Sequence, residues 1–220
     1  MRQIKKGAEP ERLIEYRNRG KQRLDSDAPR QDIRKAQCHE QRGLCAFCQS
    51  RIRPDSQHMK VAHVVPQGRP EGAKLGTTWT NLVGSCTGGE GKPAKEHHCD
   101  KSQGSQLLPE RLHPVYLQPG TVTFNAKAEL VCVNSDPEVD TAIRQTLNLN
   151  TRALRDLREN KAKELAYVLQ DTTQDAIDRI NDEIQRLEDP NDGNLEVCVD
   201  YQLFLLRLRK AALQPCASTS

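Results

Sequence analysis

The sequence predicts an α+β chain, mostly helical, built round one hairpin-bearing core with helices before and after it. Three observations predict this class. Apolar residues recur at helical spacing through much of residues 136–213, as in Val139, Ile143 and Leu147 or Ile177, Ile180 and Ile184. Stretches with alternating character stand at residues 59–65, 79–86 and 121–133. Between Leu44 and Gly104, cysteines and histidines punctuate short apolar runs, the pattern of a small core stapled by metal. The expected organisation is an N-terminal helical arm over residues 1–42, a stapled core over 43–108, and a linker, hairpin and helical region over 109–220.

A chain of 220 residues can bury a core, but with 4% aromatic and 29% charged residues that core is expected to be modest or divided. A formal net charge of +3 neither demands nor excludes a nucleic-acid partner, because local basic patches matter more than the sum. No run approaches the roughly 18 consecutive apolar residues of a membrane span. The opening Met-Arg-Gln-Ile-Lys-Lys-Gly lacks the apolar stretch of an export signal. A cytoplasmic protein without a membrane partner is therefore expected. In that compartment its eight cysteines stay reduced, which favours metal over disulfide for any close pair. Cys38, Cys132, Cys198 and Cys216 lack such spacing and read as core or incidental thiols.

Taken in order, Pro10 opens a short helix with Leu13, Ile14 and Tyr16 turned inward. A second helix, Arg30 to Gln41, directs Ile33, Ala36 and Gln37 to the core, and the arm's many charges read as a solvated face. Gly43 ends that helix and delivers the chain to Cys45-Ala-Phe-Cys48. Met59 to Val65 is expected as a strand with Val61, His63 and Val65 on one face, stopped by Pro66. A Gly-rich loop, Gln67 to Thr78, leads to a return strand from Trp79 to Cys86 with Asn81 at its start. After Cys99, Asp100-Lys-Ser-Gln-Gly forms the first turn of a helix or a tight exit turn, with Asp100 as its cap.

Pro109, Pro114 and Pro119 mark Leu107 to Gly120 as an extended surface linker. Thr121 to Val133 reads as a hairpin turning near Asn125 to Lys127. Helices are expected at Asp136–Asn150, Thr151–Leu169, Thr173–Leu187 and Tyr201–Leu213, the last burying Phe204, Leu205 and Leu208. Asp189-Pro-Asn-Asp-Gly separates the final two, and the tail from Gln214 is expected to be disordered.

The chemistry follows from residue types. Cys45-x-x-Cys48 lets two thiolates approach one ion, and structural Zn2+ is the expected occupant. Cys86 and Cys99 complete the set, with His97 or His98 as the alternative to one thiolate. His63 stands near the end of its strand, where an imidazole titrating near neutrality can serve as general base; the bland alternative is a core histidine. Asn81 is expected to fix the long loop through backbone hydrogen bonds and so orient His63, or else to be a simple turn residue. Asp100 offers the carboxylate oxygen that Mg2+ or Mn2+ prefers, with His98 as the alternative ligand of that catalytic cation. Arg69, Lys95 and Lys101 are among the basic residues available to line a phosphate track.

These motifs carry a family resemblance. Cys45-x-x-Cys48, Val61-x-His63-x-x-Pro66, Asn81-Leu-x-x-Ser-Cys86 and His98-Cys99-Asp100-x-x-x-Gly104 resemble the His-Asn-His (HNH) endonuclease subunit of Septu-type antiphage systems, the PtuB-like group, which also accompanies some retrons. The opening Met-Arg-Gln-Ile-Lys-Lys-Gly-Ala-Glu-Pro and the Leu147-to-Arg158 segment are similar to it too. The resemblance implies a ββα-metal nuclease core gripping one catalytic cation. It implies a nucleic-acid substrate and a PtuA-like ATPase partner that restrains cutting until infection is sensed. In the retron setting it adds a reverse transcriptase with RNA-linked DNA. Two positions depart from the pattern: Ala62 stands where a metal-binding side chain is usual, and Asp100 replaces the last histidine.

Two other classes remain open at this point. One is a zinc-stapled binding module without catalysis, for which Ala62 is the clue, and the other is a redox protein using Cys45 and Cys48. No motif distinguishes DNA from RNA as substrate.

Overall fold

The computed structural model describes residues 1–191 and 193–214. Cys216, and with it the tail beyond Gln214 expected to be disordered, lies outside them. The architecture is α+β, with helix predominating over strand and two two-stranded antiparallel sheets among the described residues.

Helix α1 (Glu11–Asn18) buries Leu13 and Tyr16, spaced to share one face, while Ile14, expected inward, is 37% exposed on the neighbouring face. Helix α2 (Arg30–Glu40) turns Ile33 and Gln37 inward as expected and lies across the first hairpin. That hairpin pairs β1 (Lys60–His63) with β2 (Leu82–Ser85), setting His63 opposite Leu82 and Ala62 opposite Val83. Both strands are shorter than expected: Trp79–Asn81 forms a 3-10 turn, so the return strand begins at Leu82. Alternation then sorts β1 between two cores. Val61 packs with Trp79, Leu82 and the two N-terminal helices, while Ala62 and Val64 join the core that holds the cysteines.

The loop after β1 carries a one-turn helix, α3 (Pro70–Ala73), begun by Pro70 where no element was expected. Beyond β2, the short helix α4 (Asp100–Gln103) packs on β1, and Gln103 Nε2 donates to the Val64 carbonyl at 2.8 Å. Strand, strand and helix therefore follow one another in sequence and in contact.

Residues 107–120 are not a surface linker. Leu112 and Leu117 lie in the main core, and the Pro114 carbonyl accepts the Ile4 N–H at 2.8 Å. Prolines exclude a long helix there without excluding burial. The second hairpin, β3 (Val122–Phe124) with β4 (Leu130–Cys132), turns where expected, because Asn125 Oδ1 accepts from the Lys127 and Glu129 N–H groups.

The expected helix after Asp136 is α5 (Pro137–Thr141), capped by the Asp136 side chain, and it widens into a π-helical turn at Ala142–Thr146. The Leu147 N–H reaches the Ala142 carbonyl at 2.8 Å across that wider ring. The next expected helix breaks at Leu165 into α6 (Arg152–Glu164) and α7 (Ala166–Leu169). Helices α8 (Ala176–Glu188) and α9 (Val199–Leu213) complete the chain. The inward face of α9 was expected to include Leu208, which is instead 58% exposed; Tyr201, Leu203 and Leu206 are buried, and Phe204 and Leu205 half-buried. Val199, Leu203 and Leu206 pack with α8, while Tyr201, Phe204 and Leu205 meet the second hairpin's core, so the buried arc stops short of Leu208.

One cluster joins Met1 and Ile4 to Cys45, Val64, Leu117 and Leu154, so the core runs without interruption past positions 42 and 108. Among the described residues no helix is long and apolar enough to cross a membrane.

Candidate metal centre

Gly43, at φ +76, turns the chain out of α2, where an added Cβ would meet Arg51 and Asn194. The knuckle then closes through Cys45 N–H to the Ser50 carbonyl at 2.9 Å and Gln49 N–H to the Cys45 carbonyl at 3.2 Å. Buried Gln41 ties it to β2, donating to the Leu44 and Gly84 carbonyls and accepting the Gly84 N–H. Cys86 stands directly after β2, and Cys99, in the left-handed region at φ 56, directly before α4.

These elements bring the four buried thiols of Cys45, Cys48, Cys86 and Cys99 within 4.8 Å of one another. Cys45 and Cys99 sulfurs are 3.9 Å apart, Cys48 and Cys86 sulfurs 3.7 Å. Zinc–sulfur bonds of about 2.3 Å in a tetrahedron set neighbouring sulfurs roughly 3.8 Å apart. A disulfide would need about 2.05 Å. The spacing is that of four ligands round one ion, and a set of four thiolates suits zinc.

Electrostatics agree. Donation from Cys45, then from Cys86 and Cys99, drives the Cys48 thiol well down, whereas its Cys45 and Cys48 neighbours push Cys86 up and burial pushes Cys99 up. Burial and mutual repulsion thus resist four bare thiolates in so small a space, and a cation among them would offset both.

The two histidines offered as alternative ligands do not join that group. His97 Nε2 is 2.9 Å from the Lys92 carbonyl, and His98 Nδ1 lies 3.2 Å from the Cys99 sulfur and 3.9 Å from that of Cys86, where it can donate to them. His98 is also the expected alternative ligand of a catalytic cation; its Nδ1 is turned to the sulfurs, and no hydrogen bond engages its Nε2 among the described residues. Among the described residues the four cysteines are the one group of three or more His, Cys, Asp or Glu side chains so gathered.

Asp100 is half-buried and is the first residue of α4. It makes no capping hydrogen bond, because Cys99 occupies the cap position. Burial raises its carboxyl pKa against the opposing pull of Lys60 and Lys101. Ala62, 1% exposed, is sealed in the apolar core.

His63 is half-buried at the end of β1, with Nε2 2.9 Å from the Gly76 carbonyl. A carbonyl only accepts, so Nε2 carries the proton and Nδ1 keeps a free lone pair. Burial lowers the His63 pKa, the Gly76 bond opposes this, and the charges of Arg30 and Arg23 lower it further. Asn81, 3% exposed, clamps the intervening loop: Oδ1 accepts the Val65 N–H at 2.7 Å, and Nδ2 donates to the Val65 and Leu75 carbonyls at 3.0 and 3.2 Å. The simple turn residue weighed against this role would leave the amide unused.

Arg69, Lys95 and Lys101 are exposed and make no ion pair among the described residues. Sequence reasoning missed the N-terminal arm's part. The Gln22 carbonyl would lie 2.4 Å from a Cβ at Gly76, and Thr77 Oγ1 donates to the Lys21 carbonyl at 3.3 Å, so the arm braces the acceptor of His63 and brings Arg23 and Arg30 near it. A backbone carbonyl leaves no trace in residue type, and arginine is common throughout this chain. No protein-family model matches the chain, and no curated protein matches it.

Proposed function

We propose that the chain is a metal-dependent HNH endonuclease subunit of an antiphage defence complex, hydrolysing nucleic acid under the control of a PtuA-like ATPase. The observation that carries this reading is His63, an imidazole fixed through Nε2 with Nδ1 left as a base, on a hairpin that the four cysteines staple to α4. The likeness of the motifs to the Septu-type, PtuB-like group supports the partner and the setting, including the retron variant with its reverse transcriptase and RNA-linked DNA.

In this mechanism His63 Nδ1 takes a proton from water as the oxygen bonds to phosphorus. The bridging P–O bond breaks, and the departing oxygen takes a proton from a solvent water. Asn81 holds the loop that carries the Gly76 carbonyl, and thereby the ring's orientation. Burial, helped by the charges of Arg30 and Arg23, favours the neutral imidazole, and those two arginines favour an approaching phosphate. Asp100 would hold Mg2+ or Mn2+ with water and substrate phosphate; when bound, such an ion offsets charge on the phosphorane and the leaving oxygen. Arg69, Lys95 and Lys101 are offered as contacts to the flanking backbone.

A second reading, a zinc-stapled binding module, is favoured by one observation. Ala62 has no donor atom and is sealed in the core on the strand next to His63. The discriminating experiment is nicking of DNA and of RNA with Mg2+ or Mn2+ by the complex with its ATPase. Cutting that disappears in His63→Ala is the expected result. An inactive wild-type complex, or cutting unchanged in the variant, would favour the binding module or a contaminant.

A further inference from the structure

The second hairpin has two outer edges, and the fold treats them differently. Along β4, the Leu130 N–H donates to Asn150 Oδ1 at 2.8 Å, the Leu130 carbonyl accepts from Asn150 Nδ2 at 2.9 Å, and the Cys132 N–H donates to Asp140 Oδ1 at 2.9 Å. Side chains close that edge.

The same bonds fix the direction of the backbone groups on β3. Antiparallel ladders alternate bonded and non-bonded pairs. The Val133 N–H reaches the Thr121 carbonyl at 3.1 Å and the Asn125 N–H the Glu129 carbonyl at 3.0 Å, with Thr123 facing Val131 midway between them. Val122 and Phe124 therefore direct N–H and C=O away from β4, and among the described residues nothing receives them.

This open edge runs along a groove of about 840 Å³ whose lining includes Ile4, Lys5, Ala46, Val122, Phe124 and Leu203. The N-terminal segment, the cysteine knuckle and α9 form its other walls. Its acids Glu40, Glu188 and Asp200 are engaged with Lys6, Arg207 and Arg2, whereas Lys5 is exposed and has no carboxylate partner among the described residues.

We propose that the groove binds an extended peptide segment of another protein, added to β3 as a further strand, with apolar side chains alternating with acidic ones. Paired backbone donors and acceptors at alternate residues are met by the backbone of an extended chain, and the apolar lining takes every second side chain. Because the edge lies inside a groove, a slender segment reaches it where the sheet of a second copy would meet the walls. The inference is independent of the hydrolytic reading of His63.

The test is selection of a displayed library of random peptides on the full-length, metal-loaded protein, followed by anisotropy with one enriched peptide. Enriched sequences should alternate apolar with acidic residues. Methylating the peptide nitrogen that bonds to β3 should weaken binding about three- to tenfold, the loss of one hydrogen bond. Val122→Pro should do the same, since it removes only an outward N–H and edge strands tolerate proline there. The methylated peptide reads the same contact without altering the protein, so a misfolded variant does not rescue the idea. Lys5→Glu should shift the preference towards basic peptides. Failure to enrich any peptide, equal binding after methylation, or a dimer in sedimentation that Val122→Pro dissolves would each overturn it.

Discussion

At the scale of single residues, four buried thiols share one small space and one amide, that of Asn81, clamps the loop carrying the carbonyl that meets His63. The four cysteines expected round one ion do converge, and the choice between a fourth thiolate and His97 or His98, open in the sequence, falls to the thiolate because all four sulfurs lie within 4.8 Å of one another, with the His98 ring set beside them as a donor. Asn81 makes the loop-fixing bonds expected of it. Arg158 had no such signal: it is 3% exposed and donates to the Ala128 and Leu149 carbonyls at 2.8 and 2.7 Å, which spacing on a helix does not reveal. The bonds of Asn81 make a direct prediction. Asn81→Ala strands the half-buried backbone groups of Val65 and Leu75, so urea unfolding should show a loss of about 1–3 kcal/mol. Nicking should fall with it as Gly76 releases His63; an unchanged urea midpoint would show that the clamp carries no stability.

At the scale of elements, strong periodicity located helices well and their ends poorly. Val139, Ile143 and Leu147 are all buried as their spacing required, yet the helix they define widens into a π-helical turn because its second half must bring Leu147 and Leu149 into the same core. Segment 107–120 shows the opposite failure, since its prolines mask two buried leucines. Asp136 is the element-level signal with a measurable consequence. It accepts from the Glu138 and Val139 N–H groups at 3.0 and 3.3 Å, and Asp136→Ala should cost about 1 kcal/mol. Its exposed pairing with Arg111 adds little. Asp136→Ser retains an acceptor and should recover most of the loss in the same titration; if it recovers none, the ion pair, not the cap, is what matters.

At the scale of the whole molecule, one core links the N-terminal segment, the knuckle, the first hairpin and α6, so acid should be felt globally. His113 is buried beside Lys6, which together lower its pKa to about 4 from an ordinary 6.5. His63 is lowered too, chiefly by burial. As pH falls below 6.5 the unfolded chain binds protons that the folded one refuses, so stability declines until His113 itself protonates near pH 4. Glu40 and Asp100, raised by burial, act in the opposite direction in the carboxylate range. The urea midpoint of wild type should therefore fall between pH 7 and 5, and His113→Asn, which keeps an acceptor for the Val115 N–H, should flatten that slope. Parallel slopes for the two proteins would contradict the role given to His113.

By itself the sequence determined the helix-rich α+β class, both hairpins and the cysteine set, because these depend on local periodicity and on donor chemistry written in residue type. Tertiary structure alone decided which face of α9 is buried, the sealing of Ala62, the Gly76 carbonyl that holds His63, and the open edge of β3. Each of these depends on backbone groups and packing partners brought together from distant parts of the chain, which residue identity does not encode position by position.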